Sequence, residues 1–560
     1  MSSGTPREEH RADPRRGQVR AAMLVLVALA GSTLLALAYP LLDPDEGRNA
    51  EIAREMAVSG SLLVPTLAGM PYLDKPPGFF WAAALAIRLG GATPWAARLP
   101  AAVAAALTLC LVGRLAARSL PPGPALLALG LLASAPLFAI LSAYVIFDMP
   151  LTLCVTAVWV LLAEETERGP GTFRRIAMFA AVTAGVLIKG PVMLAWAVGG
   201  SLGAALLLRE RAPLRWLRWP LGWAIVLGVA GGWFALASAR YPEYPHYAFV
   251  EESLERLATG SFHREHPPWF VPLVLVAGAL PWSLATPWSA RVSRTGRIGL
   301  GFVLFALIFF TASHSKLATY LLPCFPPLAL VAAESWCSAG NTRRGAWQTT
   351  TVYAALALIC AAIGLQWLSV PHKHVTESLY ASALALAVAF ALLAGFSSLG
   401  ALTRRTGFAV AALVAFTPVT LAIAGPFLVR YATSQSGEPL GRAIASVVPR
   451  GLVRFEHCYS AGTDFTLRNH SDILSARGIE TTSTYQARYR EALLARGQWT
   501  PLSAVPALDQ ASVIVRPYRN ADGSPPAGME AFFQDRRFVA YRMTLREANS
   551  ARRVGDGGAK

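Results

Sequence analysis

The sequence predicts a polytopic α-helical membrane protein that ends in a smaller, polar α/β domain. Hydrophobic residues make up 54% of the 560 residues and charged residues only 15%, with a mean hydropathy of +0.43. Soluble domains carry roughly 25% charged residues, so most of this chain is unsuited to water. Apolar runs of bilayer-crossing length recur from residue 21 to residue 429, whereas residues 430–560 are polar.

The N-terminal segment indicates the orientation of the chain. Residues 1–20 are polar and basic, and the apolar run Ala21–Pro40 follows without a clear small-residue cleavage site. This pattern predicts a cytoplasmic tail and an uncleaved signal anchor. Alternating spans then place the arginine clusters around Arg209–Arg218 and Arg404–Arg405 on the cytoplasmic side. We therefore expect roughly thirteen spans within residues 21–429, with outer loops at 41–98 and 240–268.

One apolar stretch in the first outer loop is interpreted as an interfacial helix. Phe79–Leu89 is short for a span and contains Arg88. If it crossed the membrane, the later arginine clusters would face outward, against the usual charge bias.

The polar residues 430–560 predict an α/β domain on the outer, periplasmic side. Strands are expected at Leu452–Tyr459, Ser512–Tyr518 and Phe538–Leu545, and helices at 435–447 and 485–496.

Charge and cysteine content exclude several classes of protein. The net charge of +17 follows the arginine clusters between apolar runs, so membrane lipids and phosphate-bearing substrates are expected as partners rather than nucleic acid. The six cysteines contain no CxxC pair, so neither a zinc ribbon nor a disulfide framework is encoded.

The candidate functional residues lie on the predicted outer face, many of them at or near the ends of spans. Ionisable groups in such positions are costly and are candidates for a functional site. The candidates are Asp45, Arg48, Tyr72, Asp74, Lys75, Asp148, Lys189, His263, Arg264, His266, Lys316 and Tyr320.

The acidic stretch Asp43-Pro44-Asp45-Glu46 has two interpretations. It fits a helix start, with Asp43 as the N-cap, Pro44 at the first helical position and Glu46 completing a capping box. That account does not require Asp45, which is therefore also a candidate catalytic residue. Asp148, directly after an apolar run, is either the N-cap of the next helix or a second site residue.

Two lysines precede prolines and are held in restricted segments. Lys75 lies before Pro76-Pro77, which favours an extended backbone, and Lys189 precedes Gly190-Pro191. Each is either an anchor at the membrane interface or a cation for a phosphate. Lys316 offers another cation, with the phenol of Tyr320 one helical turn later.

A divalent metal is a further possibility in the outer loops. His263 and His266 provide two imidazoles, with Asp74 as a third ligand. Two histidines are a weak signal for a metal site.

The motifs together resemble those of a known family. Asp43–Arg48 and Tyr72–Pro77 are similar to the two outer-loop motifs of the aminoarabinose transferase family, within the GT-C glycosyltransferases. The segments Phe147–Pro150, Ile188–Pro191 and His314–Pro323 also fit, and the resemblance covers roughly residues 20–430. Asp74 is a departure, since glutamate is expected there about as readily.

The resemblance implies an inverting transfer of 4-amino-4-deoxy-L-arabinose from undecaprenyl phosphate to phosphate groups of lipid A. It implies a lipopolysaccharide modification linked to resistance to polymyxin and other cationic peptides, carried out on the periplasmic face of the inner membrane. Its partners would be the lipid-linked donor, the lipid A acceptor and membrane lipids, with a monomeric enzyme and no required cofactor.

The chemistry of such a transfer assigns roles to the candidates. A phosphate leaving group needs cations more than a general acid, which suits Lys75, Lys189, Arg264 and Lys316. Arg48, Tyr72 and Tyr320 would add substrate contacts. An acceptor phosphate is largely ionised near neutral pH, so Asp45 and Asp148 would position it or pair with the sugar ammonium.

Two rival functions remain open at this point. Another polyprenyl-phosphate sugar transferase would move a hexose to a hydroxyl of a lipid, glycan or protein. A lipid transporter or flippase is less favoured, because transporters place charges near the membrane midplane in repeated halves. Here the charges lie at outer span ends and no repeat is evident.

Overall fold

A computed structural model describes the chain from residue 39 to residue 543 with several gaps. The described residues are 39–255, 265–338, 341–368, 376–405, 407–448, 452–474, 479–499, 512–518 and 525–543. The predicted first span lies almost wholly outside them, as do His263 and Arg264.

The described part of the chain confirms a polytopic helical architecture. Seven helices are long and apolar enough to cross a membrane: Pro94–Ser119, Asp148–Arg168, Pro220–Arg240, Arg294–Ala312, Asn341–Gly364, Ser378–Thr403 and Gly407–Gln435. The last of these extends past residue 429, where the sequence placed the end of the membrane part.

The remaining predicted spans within the described ranges correspond to helices that are shorter, divided or more polar. They are Pro122–Ser134 with Pro136–Leu141, Thr172–Lys189, Val192–Leu208, Phe270–Gly278 with Trp282–Ala285, and the 3₁₀ turn Ala318–Cys324 with Phe325–Cys337. Proline explains three of the divisions, because Pro136, Pro281 and Pro326 each lie where one helical segment gives way to the next.

Close helix packing forms the core of this helical part. The helices Val192–Leu208 and Arg294–Ala312 cross at Gly203 and Gly301, where a Cβ on Gly203 would lie 2.2 Å from the Gly301 carbonyl oxygen. Such small residues let helix backbones approach closely. Fully buried Trp159 and Trp196 belong to the same core cluster.

The first outer segment carries the short elements that shape the site. A helix spans Asp45–Ser59, followed by the antiparallel strands β1, Thr66–Leu67, and β2, Met70–Pro71. The helix Gly78–Gly90 occupies the stretch predicted as an interfacial helix. Further along, the π-helical segment Tyr247–Glu255 follows Tyr244–His246.

The C-terminal residues form a mixed sheet with helices, which we call the sheet domain (residues 438–543). Its strands are β3 (Val453–Glu456), β4 (Asp472–Leu474), β5 (Val513–Pro517), β6 (Met529–Gln534) and β7 (Phe538–Met543), in the order β4-β3-β5-β7-β6. Strand β3 is parallel to β4 and β5, and β7 is antiparallel to β5 and β6. Its helices are Glu438–Val447, Ala461–Leu467, Thr484–Arg488 and Arg490–Ala495. The three predicted strands match β3, β5 and β7.

Asp43 joins the sheet domain to the first outer segment. Its carboxylate accepts hydrogen bonds from Ser460 Oγ at 2.6 Å, from the Gly462 amide at 3.1 Å and from Arg537 Nη2 at 3.0 Å. The predicted N-cap role of Asp43 is therefore wrong: Pro44 occupies the cap of the Asp45–Ser59 helix without a side-chain hydrogen bond. The carboxylate binds the distant domain, a partner that local sequence does not reveal.

Candidate functional site

A cavity of about 590 Å³ gathers most of the predicted site residues. The candidates that line it are Asp45, Arg48, Tyr72, Asp74, Lys75, Asp148, Lys189 and Tyr320. Phe309, Phe310 and Trp196 supply an apolar wall, and the sheet domain contributes Thr482 and Thr484. The cavity thus combines charged groups with apolar surface, as a site for a lipid-linked anion requires.

Asp45 and Arg48 form an ion pair on one face of the Asp45–Ser59 helix. Their side chains lie three residues apart, and Arg48 Nη2 is 2.6 Å from Asp45 Oδ1. Arg48 also donates from Nη1 to Thr482 Oγ1 at 2.7 Å. The Asp45 side chain is 50% exposed, so this carboxylate remains accessible to a ligand.

The environment of Arg48 keeps it charged. Burial works against the charge, but neighbouring Tyr72, Asp45 and Asp74 together raise the pKa of this guanidinium. Burial also raises the pKa of Tyr72 above its usual range. Arg48 is therefore a fixed cation beside a neutral phenol.

Asp148 and Lys189 meet across the cavity wall. Lys189 Nζ donates to Asp148 Oδ1 at 2.5 Å and lies 4.5 Å from the centre of the Tyr320 ring. The helix Asp148–Arg168 begins at Asp148, but Phe147 occupies the N-cap and no side chain caps the helix. The N-cap interpretation of Asp148 is therefore wrong, and the pairing with Lys189 explains why the carboxylate is buried there.

Lys75 has an acidic partner that the sequence did not reveal. Its ammonium forms an ion pair with Glu252 and donates to the Asp74 carbonyl oxygen at 2.6 Å. Glu252 lies in the π-helical segment Tyr247–Glu255 and lines the same cavity. The same short segment also contains Glu251 and Glu255, so the sequence alone does not show which glutamate pairs with Lys75.

Asp74 has a structural environment rather than open ligand positions. Its carboxylate accepts from Tyr247 Oη at 2.5 Å and from the amides of Thr484 at 3.1 Å and Tyr485 at 2.8 Å. It thereby anchors the sheet domain beside the cavity.

The possible metal site in the outer loops stays a prediction. His266 stacks on Phe270, with ring centres 4.1 Å apart, and His263 lies outside the described residues. Within the described ranges, the group of metal-type side chains in mutual reach is Glu51, Glu55 and His470, which includes neither Asp74 nor His266.

Two predicted cations are not placed in the cavity. Arg264 lies outside the described residues. Lys316 is buried and donates to the Ser313 carbonyl oxygen at 2.5 Å, and it is not among the residues that line the cavity. Ser313 itself lines the cavity, so the substrate-binding role of Lys316 stays a prediction.

A buried clamp fixes the segment that carries Asp148 against the Asp45–Ser59 helix. Glu46 Oε1 accepts from the Val145 amide at 3.0 Å, and Asn49 Nδ2 donates to the Val145 carbonyl at 2.8 Å. Arg98 neutralises Glu46 through two hydrogen bonds of 2.9 and 2.8 Å. Asn49 also lines the cavity. The clamp sets the position of Asp148 relative to Asp45, and no local sequence pattern indicates it because its members lie far apart in the chain.

Known proteins resemble the chain in sequence. Residues 74–232 match the family model described as dolichyl-phosphate-mannose-protein mannosyltransferase. A protein of Aeromonas salmonicida named undecaprenyl phosphate-alpha-4-amino-4-deoxy-L-arabinose arabinosyl transferase is 30% identical over 406 residues, which are 69% of this chain and 73% of that protein. The protein of the same name from an Enterobacter species is 29% identical over 430 residues, 72% of this chain and 76% of that protein.

A solved structure has the same fold. The crystal structure of ArnT from Cupriavidus metallidurans bound to undecaprenyl phosphate matches with a TM-score of 0.81. The match covers 94% of this chain and 98% of that chain at 22% sequence identity. The apo structure of the same protein matches with a TM-score of 0.78. The likeness establishes the GT-C fold predicted from the sequence motifs.

Proposed function

Because the chain belongs to the family of undecaprenyl phosphate-aminoarabinose arabinosyl transferases, we propose that it transfers 4-amino-4-deoxy-L-arabinose from undecaprenyl phosphate to a phosphate group of lipid A. It is a glycosyltransferase that uses a lipid-linked sugar. The observation that carries the proposal is that Lys75, Lys189, Asp45 and Asp148 lie in one cavity beside an apolar wall.

The transfer is a substitution at the anomeric carbon of the sugar. An oxygen of the acceptor phosphate attacks that carbon, the bond from the carbon to the donor phosphate oxygen breaks, and undecaprenyl phosphate leaves with the electron pair. A direct displacement of this kind inverts the anomeric configuration. Positioning the two reactants accounts for much of the rate, because bound reactants need not find each other in solution.

Cations favour the departure of the lipid phosphate. Negative charge grows on the leaving oxygen, and ammonium groups placed in advance stabilise it. Lys75 and Lys189 line the cavity and are the residues we assign to this role. Each is balanced by an acid in the free protein, Glu252 for Lys75 and Asp148 for Lys189.

The two aspartates orient charge rather than act as strong bases. The acceptor phosphate is already an oxyanion near neutral pH, so no proton has to be removed from it. Asp45, half-exposed in the cavity, is suited to pair with the ammonium of the aminosugar. Asp148 holds Lys189 in place. With lysines stabilising the leaving group, we propose that no cofactor is required.

The site faces the periplasm in this proposal. The alternation of arginine clusters along the sequence supports a cytoplasmic N-terminus, with the cavity and sheet domain on the outer face of the inner membrane. We propose a monomer whose product raises resistance to polymyxin and other cationic peptides, because an added aminosugar reduces the negative charge of lipid A.

Mass spectrometry of lipid A tests the proposal directly. Lipid A would be compared from cells lacking the gene, cells restored with the wild-type gene and cells restored with an Asp45→Asn variant. We expect an aminopentose mass increment only with the wild-type gene. A hexose increment on lipid A would instead favour the neutral-sugar transfer suggested by the mannosyltransferase model match over residues 74–232. An unchanged spectrum with expressed wild-type protein would contradict the proposed acceptor.

A further inference from the structure

The loop between the helices Val192–Leu208 and Pro220–Arg240 carries dense positive charge that the reaction described above does not use. We call its residues 209–218 the basic segment. Its single acid, Glu210, pairs with Arg294, whose Nη1 and Nη2 lie 2.8 and 2.5 Å from the carboxylate oxygens. Its four arginines have exposed side chains and, within the described ranges, no side-chain hydrogen bond or ion pair. They are Arg209, Arg211, Arg215 and Arg218.

The basic segment lies far from the main cavity, at the other end of two helices. The helix Val192–Leu208 begins with Val192 in the cavity lining and leads, after 17 residues, to Arg209. The helix Arg294–Ala312 lines the cavity near its C-terminal end and pairs with Glu210 at its N-terminal end. At 1.5 Å per residue, such a helix of 17 residues is about 25 Å long. This length is close to the thickness of the hydrocarbon core, so the basic segment lies at the headgroup level on the opposite side of the membrane.

A buried tryptophan holds the basic segment in one arrangement. Residues Ala212–Arg218 form a 3₁₀ helix, in which side chains three positions apart lie on the same face. Pro213 and Trp216 form its buried face, and Trp216 Nε1 donates to Ser201 Oγ at 3.1 Å. The Trp216 ring also packs edge-on against Phe179, with ring centres 5.1 Å apart. The backbone that carries the arginines is therefore fixed to the helical core.

The other two faces of this 3₁₀ helix are basic and apolar. Arg215 and Arg218 share an exposed face, whereas Leu214 and Leu217 share a half-buried one. Such an amphipathic element is suited to the membrane interface, where leucines contact acyl chains and arginines contact headgroups. Each guanidinium can donate to two phosphate oxygens at once, so two of them on one face form a strong phosphate site.

From this arrangement we propose that the basic segment binds the phosphate headgroup of an anionic phospholipid. The phosphate lies between Arg215 and Arg218, and the acyl chains run along the leucine face into the bilayer. Arginines in such a loop also orient the chain during membrane insertion, but that role requires positive charge without a fixed arrangement. A headgroup site requires the arrangement as well, and this difference makes the proposal testable. The proposal is independent of the transfer reaction.

The test is lipid binding by the full-length protein in detergent, counted by native mass spectrometry. Phosphatidylglycerol and the zwitterionic phosphatidylethanolamine, with the same acyl chains, are titrated into separate samples. We expect wild-type protein to bind phosphatidylglycerol more tightly. The double variant Arg215→Gln/Arg218→Gln should weaken the binding of one phosphatidylglycerol by about 10- to 30-fold, at roughly 5-fold for each basic residue near a lipid headgroup.

Two further double variants separate arrangement from charge. Arg343→Gln/Arg344→Gln removes the same charge from another exposed pair, in the helix Asn341–Gly364, where adjacent side chains point about 100° apart. We expect it to leave the binding of phosphatidylglycerol nearly unchanged. Arg215→Lys/Arg218→Lys keeps the charge that orients the loop but loses the paired donors of each guanidinium, so its binding should be weaker than that of wild type and stronger than that of the glutamine variant.

Several results would overturn the proposal. If the two glutamine variants weaken binding equally, net charge alone attracts the lipid and the basic segment is not a site. Equal affinity of wild-type protein for the two lipids would have the same meaning. If excess inorganic phosphate at constant ionic strength displaces phosphatidylglycerol, the basic segment recognises free phosphate and the lipid assignment is wrong. None of these measurements uses a sugar donor or an acceptor, so a failure of the proposed function would be seen separately.

Discussion

Lys189 Nζ donates to Asp148 Oδ1 at 2.5 Å, joining two residues that lie 41 positions apart in the sequence. Both side chains are largely buried, with 12% and 4% of their surfaces exposed. The same ammonium lies 4.5 Å from the centre of the Tyr320 ring. Residues from three separate motifs thus form one unit at the cavity. The effects of substituting them on the transfer rate should therefore not be independent.

The first prediction concerns this unit. Lys189→Met removes a cation from the leaving phosphate, and we expect kcat to fall about 100-fold, as when one stabilising group is lost from a charged transition state. Asp148→Asn should also lower kcat. The kcat of the double variant should be little lower than that of Lys189→Met, because the effects of substituting residues that act together do not add. The measurement is the initial transfer rate at saturating donor and acceptor. Arg442→Met, at an exposed ion pair on the sheet domain, serves as the control. Additive losses in the double variant would contradict a common role.

The second prediction concerns the counter-ion of Lys75. Glu252 competes with the donor phosphate for this ammonium, so Glu252→Gln should strengthen the binding of undecaprenyl phosphate by about 2- to 5-fold, the upper range for an ion pair that keeps some contact with solvent. Binding can be measured by tryptophan fluorescence in detergent. Glu255→Gln is the matched control, because Glu255 lies in the same π-helical segment but pairs with Arg488. Weaker binding by Glu252→Gln would indicate that Glu252 holds Lys75 in its working position.

The third prediction separates two neighbouring acids. Glu46 is fully buried and neutralises Arg98, so Glu46→Gln leaves a buried charge without its partner and should destabilise the protein by about 3 to 5 kcal/mol. Asp45 is half-exposed, and Asp45→Asn should cost about 0 to 1 kcal/mol while reducing transfer. Thermal unfolding in detergent compares the two. Equal losses of stability would contradict the division between a structural and a functional acid.

The fourth prediction concerns pH and the sheet domain. Burial raises the pKa of Asp464 to about 7, despite hydrogen bonds from Ser471 and Tyr459 that lower it. Between about pH 4 and about pH 7, the folded protein keeps a proton on Asp464 that the unfolded chain has released. The free energy of unfolding therefore falls as the pH rises through this range. The hydrogen bond with Glu55 raises the pKa of His470, so its contribution is also lost with rising pH.

The comparison that checks this effect is Asp464→Asn against wild type. The asparagine at position 464 does not titrate. The thermal midpoint of the variant minus that of wild type should therefore increase as the pH rises from about 5 to about 8. Other charged residues also affect the pKa values in this cluster, namely Glu51, Glu55 and Arg54. They are the same in both proteins, so they do not change the comparison. A constant difference across this range would show that Asp464 does not carry a raised pKa.

Much of the helical architecture could be predicted from local sequence. Apolar length and flanking arginines depend on neighbouring residues, so the spans within the described ranges have helical counterparts where they were expected. Strands β4 and β6 were missed. They are Asp472–Leu474, which is only three residues long, and Met529–Gln534, which pairs with β7 through an irregular register. Their strand character depends on pairing rather than on a clear alternating pattern.

The site was predictable in its motifs but not in its contacts. Asp45, Lys75, Asp148 and Lys189 were identified because charges near span ends are unusual. Their partners were not, since Lys75 reaches Glu252 over 177 positions and Arg48 reaches Thr482 over 434. Contacts at such separation are decided by tertiary packing. For the same reason, the helix-cap interpretation of Asp43, and the cap that was one of two interpretations of Asp148, are wrong.

The hydrogen bonds of the Asp43–Arg48 stretch constrain how the motif can vary in length. Asp43 holds the sheet domain, Asp45 and Arg48 face the main cavity, and Glu46 reaches the helical core. Successive residues of a helix are rotated by about 100°. With Asp43 held by the sheet domain, one residue inserted after Pro44 would rotate Asp45, Glu46 and Arg48 away from their present partners. The spacing of these six positions, and not only their chemistry, therefore links domain attachment, substrate contact and core packing, so insertions and deletions here should be rejected more strongly than substitutions.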